Sequence, residues 1–196
     1  AALPDEERET LSSAQLVDAY VKPATAARRC RYIEVLPGEH VGAPDVFVSH
    51  AWARPVWRIV EALRWHYAAL PAAARRRQCV WLDMFAINQH QGAVTKADLE
   101  RLPARIAQAR HTVLLLYDDG LPLRRIWCLF EILHTAKQAD GAERLRIAAP
   151  AADQSDMLRV YDDVDVERAQ ATQPADVAAI LELVLREMGS YERMNR

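Results

Sequence analysis

Asp45-Val46-Phe47-Val48-Ser49-His50-Ala51-Trp52, followed by Ala53-Arg54-Pro55 and an amphipathic run to Tyr67, decides the fold of this 196-residue chain. Residues 45–49 form a compact apolar run of strand length and predict a buried strand that breaks at His50-Ala51-Trp52. Pro55 suits the first turn of a helix, and Val56, Ile59, Val60, Leu63 and Tyr67 then recur at the spacing of one helical face. Outward from this unit the pattern repeats. Cys79 to Asp83 predicts a second core strand, Thr112 to Tyr117 a third, with Asp118-Asp119-Gly120 as the turn after it, and Arg144 to Ala148 a weaker fourth. Helices are expected within 95–110, where Pro103 marks the start, over Arg124–Leu133, and from Pro174 through Val177, Ile180, Leu181, Val184, Leu185 and Met188. Short apolar strands alternating with helices predict the α/β class: a parallel sheet with helices on both faces. Ligands in such sheets bind beyond the carboxyl ends of the strands. Here those positions are Ser49–Arg54, the irregular stretch Asp83–Gly92, and Asp118–Arg125.

The chain divides into an N-terminal extension, residues 1–44, packing on a domain at 45–190. In the extension Ser12 or Ser13 is expected to cap a short helix through Leu16, Val17 and Tyr20, stopped by Pro23. Arg31 to Leu36 predicts a short strand, and Gly38, Gly42 and Pro44 punctuate a loop.

A net charge of −2 and a pI near 6.3 leave no electrostatic footprint for nucleic acid, so no nucleic-acid partner is expected. Arg75-Arg76-Arg77 reads as a solvated helix end. Cys30, Cys79 and Cys128 are too few and too scattered for a disulfide framework or a cysteine zinc site, which points to a reducing, cytoplasmic setting. The acidic start, Ala1 to Arg8, is unlike a signal peptide, and no apolar run approaches the ~20 residues that span a bilayer, so no membrane partner is expected either. The absence of an initiating Met suggests a trimmed chain with further domains beyond it.

Within Arg124–Leu133, Ile126, Leu129, Phe130 and Leu133 form one side of the helix. Glu131 points away from that side, beside Trp127, Cys128 and His134. Trp and Cys favour burial, so this second face is expected to line a pocket or a partner, with Glu131 as a candidate for chemistry. Familiar alternatives are absent. None of the six glycines builds a dinucleotide or P-loop phosphate motif, and there is no G-x-S-x-G elbow. No H-x-x-x-H pair exists, and no catalytic metal is expected. Asp83 reads either as a turn or cap residue or as a polar group at the ligand edge. Trp52 and Trp127 read as core aromatics or as stacking platforms. Asn88, Gln89 and His90 either satisfy loop backbone or contact a ligand or a second copy of the chain.

These residues also carry a resemblance. Asp-Val-Phe-Val-Ser (45–49) resembles the first strand of Toll/interleukin-1 receptor (TIR) domains, and Trp-Cys-Leu-Phe-Glu (127–131) resembles their Trp-Cys-x-x-Glu helix motif. With Ser-His-Ala-Trp (49–52), Trp-Leu-Asp-Met-Phe-Ala-Ile-Asn-Gln-His (81–90) and a leader like Val-Lys-Pro-Ala-Thr (21–25), the set looks most like a divergent TIR-like branch, over roughly residues 15–185. The resemblance implies a flavodoxin-like sheet of about five parallel strands. It implies that Glu131 matches the catalytic glutamate of TIR enzymes that cleave the nicotinamide–ribose bond of NAD, with NAD as substrate and no resident cofactor. Ser49, His50, Trp52, Asp83, Phe85, Asn88, Trp127 and Cys128 are then the expected substrate-binding residues. The 84–92 loop is expected to mediate homo-oligomer formation. His50-Ala51-Trp52 departs from the usual residues after the strand serine. Two rival expectations are a TIR-like self-association module without catalysis and a nucleoside glycosidase or deoxyribosyltransferase.

Overall fold

The computed structural model describes residues 9–90, 96–116, 119–149 and 164–195. Tyr117 and Asp118 of the expected third strand and turn, and Gln91 and Gly92 of the expected loop, lie outside them. The sheet is built from β1 (Val46–Ser49), β2 (Val80–Trp81), β3 (His111–Leu115) and β4 (Leu145–Ala148), all parallel, in the order β2-β1-β3-β4. That is the order of the first four strands of a flavodoxin-like doubly wound sheet. Among the described residues there are four strands, one fewer than expected.

The period-two alternation of strands assigns the two faces. Phe47, Leu114 and Leu116 point to one face and pack with Leu99, Leu102 and Ile106 of α6 (Lys96–Gln108), Ile126, Leu129, Phe130 and Leu133 of α7 (Ile126–Ala136), and Ile180 and Val184 of α9 (Pro174–Met188). Val46, Val48, Val113, Leu115 and Ala148 point to the other. There they meet Ile59 and Ala62 of α3 (Val56–His66), Met84 of α5 (Asp83–Ala86), and Val17 and Val21 from the N-terminal segment. Val17 and Val21 are each 2% exposed, so residues 9–44 supply part of the core rather than merely lying on it. Ser12 caps α1 (Ser13–Leu16) in a reciprocal capping box with Gln15.

Several local expectations give way to packing. Pro23 does not end the leading helix. A π segment, Val17–Val21, precedes α2 (Lys22–Thr25), and the wider turn accommodates a residue with no amide hydrogen. Arg31–Leu36 is a 3-10 turn (Tyr32–Glu34) instead of a strand, because the Glu34 carboxylate accepts the Arg31 amide at 2.8 Å and its guanidinium at 3.1 Å. Pro103 lies inside α6, not at its start. An internal proline costs about 3 kcal/mol. Burial of Leu99, Leu102 and Ile106 on both sides of it, at roughly 1.5–3 kcal/mol each, outweighs that cost. Val60 faces solvent, and α3 buries Ile59 and Ala62 instead.

Candidate active site

The carboxyl end of β1 and the first turns of α7 bring the chemistry together. Alternation sends Ser49 to the α7 face and His50 to the face covered by the N-terminal segment. Helix α7 is buried nearly all round, and its rows divide the residues that the sequence groups with Glu131. Cys128, Glu131 and Thr135 form a row against the sheet: Cys128 Sγ donates to the His50 carbonyl at 3.5 Å, and Thr135 Oγ1 lies 2.7 Å from Thr112 Oγ1. Trp127, Phe130 and His134 form a second row toward α9, where Trp127 Nε1 donates to Asp176 Oδ2 at 3.1 Å and His134 lies 3.7 Å from Glu187. Trp127 is thereby committed to helix packing, at a distance from the role of stacking platform.

Glu131 is 7% exposed. Burial pushes its carboxyl well above the ordinary carboxylate value and the Asp83 charge adds to the rise, while the nearby Ser49 hydroxyl opposes it. Ser49 Oγ is itself buried and completes no hydrogen bond of normal geometry. No ion pair joins Glu131 to a cation among the described residues: Arg124 is exposed, and Arg125 reaches Thr172 Oγ1 at 3.1 Å. Burial likewise drives the Cys128 thiol far up, seconded by the Glu131 charge, which favours the neutral thiol.

Asp83, the first residue of α5, accepts the Trp52 indole N–H at 2.5 Å through Oδ2 and the Met84 amide at 2.7 Å through Oδ1. It therefore fixes both the short helix and the indole. His50 Nε2 is 4.0 Å from Asp83 Oδ1 and 3.1 Å from Ser13 Oγ. Burial lowers its pKa against the opposing pull of Asp83, which favours neutral imidazole.

Phe85 and Asn88 serve a different purpose. Phe85 packs on Tyr32 with ring centroids 5.2 Å apart, and Asn88 Nδ2 donates to the Arg29 carbonyl at 2.7 Å. Thr25 Oγ1 is 2.8 Å from His90 Nε2, and the Arg29 guanidinium donates to the His90 carbonyl at 3.2 Å. Arg29 holds φ at 45°, a left-handed conformation that a residue other than glycine adopts at a cost. Thr25 and Arg29 thus strap the segment 83–90 to the N-terminal segment, while Ser13 holds His50 at the end of β1. Sequence reasoning missed them, since a lone Ser, Thr or Arg on a leading helix carries no pattern. Ser49, His50, Trp52, Asp83, Cys128 and Glu131 are brought together; Phe85, Asn88 and Trp127 stand apart. Among the described residues no cluster of three or more His, Cys, Asp or Glu suits a metal ion.

The fold and site define an α/β protein with a buried carboxyl at the ligand edge of its sheet that has no ion-pair partner among the described residues. Comparison of the chain with protein-family models, curated proteins and solved structures returned no match.

Proposed function

We propose that the chain is a TIR-like NAD glycohydrolase in which Glu131 stabilises the reacting ribose. The observation that carries this reading is Glu131 itself: a carboxyl held at the carboxyl edge of the sheet, nearly excluded from water, with no cation paired to it among the described residues. Burying an uncompensated acid costs stability, and such groups concentrate where chemistry needs them. A pyridinium dinucleotide supplies the missing positive charge. Its arrival lowers the Glu131 pKa and drives the carboxyl to ionise, releasing a proton.

The C1′–N bond then breaks with its electron pair going to the pyridine nitrogen. Nicotinamide leaves neutral, so no acid is required. The ionised Glu131 faces the oxocarbenium-like ribose. Water attack gives ADP-ribose, and attack by an adenine nitrogen gives a cyclic product. Trp52, held by Asp83, offers a ring for stacking, and Ser49 a hydroxyl for the ribose. Entry of a dinucleotide requires the strapped segment 83–90 to shift, and self-association through it provides the occasion.

The non-catalytic module, with Trp127, Cys128 and the 84–92 loop as its assembly surface, is the weaker reading, because Trp127 and Cys128 are engaged within the chain, which leaves the loop alone to carry it. Incubating the protein with NAD and with free nucleosides across a protein concentration series tests the proposal. Nicotinamide release rising more steeply than protein concentration is expected, with nucleosides untouched. Cleavage of nucleosides alone would support the nucleosidase, and no cleavage of either at any concentration would support the module.

A further inference from the structure

At the amino-terminal edge of the sheet, on the side away from Glu131, α3 ends and the chain turns into α4 (Ala72–Arg75). Ala68-Ala69-Leu70-Pro71-Ala72-Ala73 is a run of six apolar residues, every one of them exposed. Just before it Trp65 is 58% exposed, the most exposed large hydrophobic residue among those described. Arg64, Arg75, Arg76 and Arg77 are exposed around this tip, and none has an ion pair among the described residues. The same edge carries His66 and His111, with rings 6.0 Å apart, and exposed Arg146, whose charge acts on both. Three acids nearby are paired: Asp45 with Arg110, Asp140 with Arg144, and Glu61 with Arg58, while Glu39 and, on α8 (Gly141–Arg144), Glu143 have no ion pair among the described residues. Because the whole chain carries −2, this concentration of positive charge makes the molecule electrostatically polarised.

We propose that the turn between α3 and α4 is a peripheral tip that seats on an anionic bilayer surface. Trp65 and Leu70 enter the interfacial layer, where an indole is at home, and the arginine collar meets lipid phosphates. Trp65 is the one aromatic plane at the tip, and the alanines, Leu70 and Pro71 beside it offer neither further stacking planes nor hydrogen bonds to bases, so the run matches a shallow apolar layer better than a row of stacked bases. No helix of the described residues is long and apolar enough to cross a membrane, and the contact is superficial. It combines two weak signals, an apolar wedge and a basic collar, since either one alone attaches a protein only marginally. The carboxyl edge of the sheet, where Glu131 is buried, faces away from the bilayer in the seated molecule.

The test is co-sedimentation with phosphatidylcholine vesicles, with and without about one third phosphatidylserine. The expected result is binding to the anionic vesicles alone, weakened as salt rises. The triple variant R75E/R76E/R77E, whose side chains have no ion pairs among the described residues, is expected to bind at least ~10-fold more weakly. Trp65→Ser is expected to bind several-fold more weakly while keeping the salt dependence. Equal binding to both vesicle types, an unaffected triple variant, or binding to a single-stranded oligonucleotide but not to vesicles would overturn the proposal.

Discussion

Glu131 is set against the stability of its own fold. A carboxyl whose pKa is raised by folding binds its proton more tightly in the native state than in the unfolded chain. Stability is therefore lost as pH climbs from the unfolded value of 4.5 through the raised native value. Glu131→Gln, isosteric and neutral, removes that loss. Its melting temperature is expected to match the wild type near pH 4 and to exceed it progressively at higher pH; a lower melting temperature at pH 8 would contradict the assignment. Asp83 has a different duty. Asp83→Asn keeps one acceptor but weakens the charge-assisted bond to Trp52, and about 1–2 kcal/mol of stability is expected to go with it. Thermal melts read that loss, and a change in Trp52 emission should accompany it.

At the scale of elements, α7 is the axis of the molecule, and its end is fixed by a close approach. A Cβ at Gly141, the first residue of α8, would stand 2.4 Å from the Ala136 carbonyl oxygen and 2.6 Å from that of Thr135. Backbone does not yield as a side-chain tip does, so Gly141→Ala is expected to destabilise by roughly 1–3 kcal/mol in a denaturant titration; an unchanged midpoint would show that α8 moves freely. The strap belongs to this scale too. Thr25→Val deletes the bond to His90 at little change in volume, and hydrogen exchange is expected to quicken in 83–90 while β1 and β3 keep their protection. The strands were legible because apolar runs of strand length are local. Ser49 and His50 falling on opposite faces follows from alternation alone. The partition of Trp127 from Glu131 was not legible: residues four apart share a helix side, and only the positions of α9 and the sheet separate them. Pro23 and Pro103 were misread for the same reason, since local propensity does not register the burial that overrides it.

At the scale of the whole molecule, composition averages away what the surface separates. The net charge of −2 gave no hint of a basic edge, because acids elsewhere cancel it in the sum. Charge also shapes the acid response. His50, His66, His111 and His134 all have native pKa values lowered, first by burial, from 6.5. The unfolded chain takes up more protons at these sites, so stability is expected to fall as pH drops below about 6.5. His50→Gln should blunt that fall, measured as melting temperature between pH 7 and pH 5. The TIR-like resemblance and the NAD chemistry rest on Glu131 more than on any other residue. The most direct measurement is nicotinamide release from NAD by the wild type and by Glu131→Gln, on samples whose melting temperatures are taken at pH 8. Turnover falling by about 10²–10³ or more in a variant that melts higher is the predicted result. Undiminished turnover in a folded variant would contradict the account.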